Sequence, residues 1–150
     1  MRLMGNDVAS VKTIVSILAL QRASILVFIE AGSVTGIVAT LLLRASAEPT
    51  LEAGGFDGLA PDEAFLARPE EPSPIYYLWG IAGATKTAST AVMELSRRLR
   101  YGALAELTAY ARAATPVGRH VGVTQLGFRP VRRPDDDLLI SAPLAARLAA

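Results

Sequence analysis

The sequence predicts an α+β domain, a mixed and mostly antiparallel sheet flanked by helices. Three observations predict it. The runs SILVFIE (residues 24–30) and PIYYLWGI (residues 74–81) are rich in β-branched and aromatic residues and read as strands. Ala88, Ala91, Val92, Leu95 and Leu99 recur at helical spacing, with Glu94, Arg97 and Arg98 on the opposite face. The element order is helix, strand, strand, strand, helix, a strand-like piece, helix, strand, strand. That order contains one β–α crossover among antiparallel neighbours.

Composition bounds the rest. The 150 residues suffice for one domain, 1–150, with a real core, and not comfortably for two. With 51% hydrophobic and 19% charged residues, disorder is not expected. A net charge of +1 gives no general push toward nucleic acid or an anionic membrane. The absence of cysteine excludes disulfides, thiolate nucleophiles and thiolate metal sites, and fits a reducing, cytoplasmic setting. Residues 11–20 and 25–43 are apolar, but Lys12, Gln21, Arg22 and Glu30 interrupt them. Each unbroken piece is shorter than the roughly 20 residues of a spanning helix, so no membrane insertion is expected. Asp7 precedes the first run and no clear cleavage site follows it, which argues against a signal peptide.

In chain order, Asn6 or Asp7 can cap a helix to about Gln21, lined on one face by Val8, Val11, Ile14, Val15 and Leu18. Residues 24–30, the turn Ala31-Gly32-Ser33 and residues 34–43 form an antiparallel hairpin. Its near-continuous apolar character implies cover on both faces. Gly36 marks a bulge or a close backbone approach. Residues 44–74 hold Pro49, Pro61, Pro69, Pro72 and Pro74. Short helices near 49–53 and 62–67 are expected there, within a surface excursion or a substrate-side flap. Gly102 stops the central helix. Residues 105–114 read as strand or helix, alanine favouring helix. Thr115-Pro116 starts a short helix to about Gln125, with Thr as cap and Pro first. Residues 127–131 and 138–141 are strands around a turn at 134–137, and 142–150 is a helical tail.

The unit from Pro74 to Arg100 carries the functional reading. A strand, a turn of small residues and a helix start leave backbone N–H groups free at the positive end of the helix. That geometry binds phosphate without a charged side chain. Ala84, Thr87, Ala88, Ser89 and Ala91 allow close approach, and Thr87, Ser89, Thr90 and Lys86 add hydroxyl and ammonium donors. The plainer reading is a strand-to-helix connection with ordinary Ser/Thr capping.

Two stretches resemble the GNAT superfamily of acetyl-CoA-dependent N-acetyltransferases. Ala113-Ala114-Thr115-Pro116-Val117-Gly118-Arg119, continuing to Gln125-Leu126-Gly127-Phe128-Arg129-Pro130-Val131, is similar to that family's late helix and the start of its last hairpin. Lys86-Thr87-Ala88-Ser89-Thr90-Ala91 falls in the register of its Q/R-x-x-G-x-G/A acyl-CoA loop. There Lys86 takes the basic place, Ser89 the first glycine's and Ala91 the last. Ile81 stands where the family's strand presents a hydrophobic residue to pantetheine. The resemblance implies that acetyl-CoA, as co-substrate, lies along Ile81, Ala82, Gly83, Lys86, Thr87, Ala88, Ser89, Thr90 and Ala91. It also implies acetyltransfer to the amine of a small molecule or peptide. The sequence departs from the pattern where a glycine is replaced by Ser89. Val123 occupies the place of a tyrosine general acid, and the strand before the loop holds no carboxylate base.

Other residues point to little chemistry. His120, the only histidine, reads as a surface residue and Trp79 as core. Asp135-Asp136-Asp137 reads as a solvated turn. Tyr76 and Tyr77 point to opposite faces, where one could line a cleft and both are more ordinary as core. Arg97, Arg98 and Arg100, or Arg129, Arg132 and Arg133, are placed to meet the 3′-phosphate of coenzyme A or simply to end helix and strand. Without interleaved aromatics, neither cluster suggests nucleic acid. The alternatives to a transferase are a non-catalytic GNAT-like domain binding acyl-CoA or a partner, and a structural or membrane-associated domain. Apolar strands left exposed would favour a homodimer.

Overall fold

Six strands form one open sheet in the order β1-β2-β3-β4-β6-β5 in the computed structural model, which describes residues 8–22 and 24–150. The strands are β1 (Ile25–Glu30), β2 (Ser33–Leu43), β3 (Ile75–Gly83), β4 (Thr108–Arg112), β5 (Arg129–Pro130) and β6 (Leu138–Ser141). The α-helices are α1 (Val11–Leu20), α2 (Glu48–Glu52), α3 (Lys86–Arg98), α4 (Pro116–Gln125) and α5 (Leu144–Leu148). Only β3 and β4 pair in parallel; the other neighbours are antiparallel. The α+β, mostly antiparallel architecture expected from the sequence is present. No helix among the described residues is long and apolar enough to cross a membrane.

The N-terminal helix differs in detail from its expectation. Asn6 and Asp7 lie outside the described residues. Ser10 is the cap of α1, its hydroxyl accepting the Thr13 amide at 3.1 Å. The residues turned inward are Ile17, which is 2% exposed, and Leu20. Of the face read from spacing, Val8, Val11 and Val15 are exposed while Ile14 and Leu18 are half-buried. An apolar helix with two possible stripes does not announce which one the sheet will take.

The β1–β2 hairpin turns through Ala31 (φ 49°) and Gly32 (φ 79°), a pair of left-handed residues whose twist suits antiparallel strands. Gly36 marks both features expected of it. The register shifts next to it, around Thr35, and a Cβ on Gly36 would meet Val92 Cγ1 of α3 at 2.8 Å. The expected cover of both hairpin faces is not found, because Leu26, Val27, Ile29 and Val34 are exposed.

Residues 44–74 are a structural layer rather than a surface excursion. Ala47, Leu51, Phe56, Leu66 and Ala67 are buried. Phe56 packs its ring 4.9 Å from that of Tyr77. The edge of β2 beyond β1 is closed by this segment: Arg44 N–H donates to Phe65 C=O and Ala67 N–H to Leu42 C=O. Gln21 completes the closure. Its amide accepts from Leu42 N–H at 2.9 Å and donates to the carbonyls of Leu42 at 2.7 Å and Ala67 at 2.8 Å.

β4 is a strand despite the helical propensity of its alanines. Ala109 and Ala111 are buried between β3, β6 and the helices above, so pairing overrides local preference. Leu99–Ala103 forms a π-helical turn after α3, with Gly102 inside it rather than at the end of a regular helix. The core has two parts. Leu41, Leu43, Leu51, Tyr77 and Tyr110 lie on the side of α1 and α2. Tyr76, Ala109, Leu126, Phe128 and Leu139 lie on the side of α3 and α4. Each fully buried leucine contributes about 2 kcal/mol by leaving water.

Candidate functional site

The parallel pair β3–β4 does not run the length of β3. Pairing begins at Ile75↔Thr108 and ends at Leu78↔Ala111, while β3 continues to Gly83. The strands part where β3 carries an extra residue. Ala39 pairs with Gly80 and Thr40 with Leu78, so Trp79 is a bulge, and its indole N–H donates to Gly58 C=O at 2.6 Å. A bulge bends and twists its strand. Residues 79–83 therefore present a β4-facing edge without a strand partner, and that edge leads into the amino end of α3.

The turn is tight for a stated reason. A Cβ on Gly83 would lie 2.5 Å from the Ser89 amide nitrogen, so only glycine lets strand and helix meet this closely. Ser89 hydroxyl donates back to Gly83 C=O at 3.2 Å. Thr85 caps α3, its hydroxyl oxygen accepting the Ala88 N–H at 3.0 Å. Ser89 N–H donates to Thr85 C=O. Among the described residues, the amides of Lys86 and Thr87 have no protein acceptor.

A carboxylate stands at this corner. Thr85 hydroxyl donates to Glu30 at 2.6 Å, and that bond holds the Glu30 carboxyl below the usual carboxylate range. A negative group near a helix amino terminus is itself favourable. It also competes with any anion arriving there.

Beside this corner a groove of about 400 Å³ follows α3 past Lys86, Ser89, Thr90, Met93 and Arg97 to Gln125 at the end of α4. Glu94 also lines it but is tied to Arg98 at 2.8 Å, which leaves Lys86 and Arg97 as its cations.

The residues selected from sequence are thus brought to one place, with differing availability. Ile81, Ala82 and Gly83 are half-buried on the free tail of β3, and Lys86 and Thr87 are exposed. Ala88 is fully buried, and Thr90 hydroxyl donates to Lys86 C=O of its own helix. Ser89 and Ala91 are half-buried. The arginine candidates separate. Arg97 reaches the groove, whereas Arg100 is 1% exposed and donates to Ser141 Oγ and Ala142 C=O. Burial pulls its pKa down, and it is not placed to meet a phosphate in solvent. Tyr76 and Tyr77 do face opposite sides, and both are core; burial pushes Tyr76 up to about 12. Val123 and His120 are exposed on α4. Arg132 and Asp136 pair at 3.2 Å, and Arg112 and Asp137 at 2.7 Å. No group of three or more histidine or acidic residues among the described ones is placed to hold a metal.

Thr85 and Glu30 are the residues that sequence reasoning missed. Thr85 carries a legible signal, a threonine at a helix start. Glu30 carries none, since 55 positions separate the two. No protein-family model matches the chain, and neither a curated protein nor a solved structure is significantly similar to it.

Proposed function

We propose that this domain is a GNAT-type N-acyltransferase that binds acetyl-CoA along the tail of β3 and the first turn of α3. One observation carries the reading. β3 leaves β4 after Leu78, so an unpaired strand edge runs into a helix amino end with two unclaimed amides. A pantetheine arm has amide groups that add to such an edge as a strand would. A pyrophosphate suits the amides of Lys86 and Thr87 and the Lys86 ammonium. The adenosine end then lies in the groove toward Arg97. The order of elements and the late helix, capped by Thr115 with Pro116 first, agree with the same resemblance.

Catalysis would rest on position. With the thioester held near Ile81, a backbone N–H of β3 stabilises the oxyanion as the substrate amine attacks. Effective concentration supplies much of the rate. Neither a carboxylate nor a free tyrosine lies on the β3 tail, so the amine's proton passes to solvent, and coenzyme A departs as its thiolate when the C–S bond breaks. A binder without turnover is the second reading. It is favoured by the β3 tail, residues 79–83, which offers no side chain to act as acid or base.

Calorimetry with acetyl-CoA, followed by thiol release with a panel of amines, tests the proposal. Micromolar binding with turnover supports the transferase, and binding without turnover supports the second reading. No binding ends both. Glu30→Gln is expected to tighten coenzyme A binding about two- to fivefold by removing the competing charge.

A further inference from the structure

We infer that β1 is a dimerisation edge, on which a second copy of this chain pairs antiparallel with its own β1 about a twofold axis at Val27. Thr40 N–H donates to Ser24 C=O, so the Ser24 carbonyl and, with it, the backbone groups of Leu26 and Phe28 aim at β2. Strand alternation then turns the N–H and C=O groups of Ile25, Val27 and Ile29 outward. The irregularity of the hairpin lies in β2, at Thr35, and leaves the alternation of β1 intact. These outward groups complement themselves. Opposing Val27 to Val27 places Ile25 against Ile29 on both sides of the axis, and every outward donor finds an acceptor. The two six-stranded sheets become one.

The edge lacks the usual protection. Natural edges carry lysine, proline or an inward charge. Between Ser24 and Ala31 the one charged residue is Glu30, and it is turned to Thr85. Val27 and Ile29, with Val34 opposite Ile29, are 50% to 58% exposed. They lie on the sheet face that α1 also occupies, where Val8, Val11 and Val15 are exposed as well. Leu26, 37% exposed on the opposite face, adds to this exposed aliphatic surface, which marks an association site rather than a solvated edge. An edge that presents both its own hydrogen-bond complement and that much apolar surface fits a second copy better than an unrelated strand.

Sedimentation equilibrium on the full chain tests this, with Val27→Lys and Val27→Cys as variants. The wild-type chain is expected at twice the monomer mass at about 100 µM. Val27→Lys is expected to weaken association at least tenfold, because it opposes two ammonium groups across the axis. Val27 is half exposed, so circular dichroism should be unchanged. Should the lysine variant fail to fold, Val27→Cys decides. It is the chain's only thiol and faces its own copy about 5.5 Å away, so mild oxidation is expected to give a covalent dimer. Three results overturn the inference. They are a wild-type monomer, a dimer that neither substitution affects, or a monomer in which the Ile25, Val27 and Ile29 amides exchange slowly.

Discussion

Gln21 shows how much one side chain can hold. It stands where β1 has ended and residues 65–67 have not fully replaced it, and its amide supplies both a donor and an acceptor to the β2 backbone. Removing it strands buried groups of Leu42 and Ala67, each of which costs about 1–3 kcal/mol. Gln21→Ala is therefore expected to lose about 2–4 kcal/mol in urea unfolding. Gln21→Glu should be no better, since a carboxylate cannot donate to those two carbonyls. Glu71 makes a different residue-level prediction. Its bonds from the Arg44 guanidinium and the Arg68 amide hold its carboxyl below its ordinary pKa of 4.5. A depressed carboxyl stabilises the fold above its unfolded pKa and loses that contribution as the pH falls through its folded one. Glu71→Gln should thus lower the Tm at pH 7, and the two melting curves should converge as the pH drops below 4.5.

At the scale of elements, the central unit stands or falls on how closely β3 meets α3. Gly83→Ala would drive a methyl into the Ser89 backbone, which cannot give way, and should cost about 1–3 kcal/mol while loosening the first turn. Gly102→Ala is the contrast. Nothing lies within 4 Å of its added Cβ, so its stability should change by less than about 1 kcal/mol. Most of these elements were legible because their signals are local. Thr115-Pro116 is cap and first residue of α4, the β1–β2 turn has its glycine, and the face of α3 carrying Ala88 and Val92 is buried. What stayed hidden depends on partners far along the chain. The alanines of β4 are strand only because β3 and β6 flank them. The proline-rich segment is core only because Leu51, Phe56 and Leu66 find the sheet. The candidate site divides the same way. Its strand–turn–helix frame was readable, but Glu30 at its corner and the end of β3–β4 pairing at Leu78 belong to the assembled sheet.

For the whole molecule, the two proposals fall at different places on the sheet. Its β1 edge faces outward, where the inferred dimer would form. Its interior holds the gap where β3 leaves β4, and α3 and α4 wall the groove beside it. The claim on which the functional account depends is that α3 offers amides, and β3 an edge, to one elongated phosphorylated ligand. Amide chemical shifts of the ¹⁵N-labelled chain, titrated with acetyl-CoA, test it most directly. The account predicts saturable shifts that are largest at Lys86 and Thr87, extend along residues 79–83 and fade in α5. Unmoved amides at Lys86 and Thr87 at millimolar acetyl-CoA, or shifts confined to another part of the molecule, would contradict it.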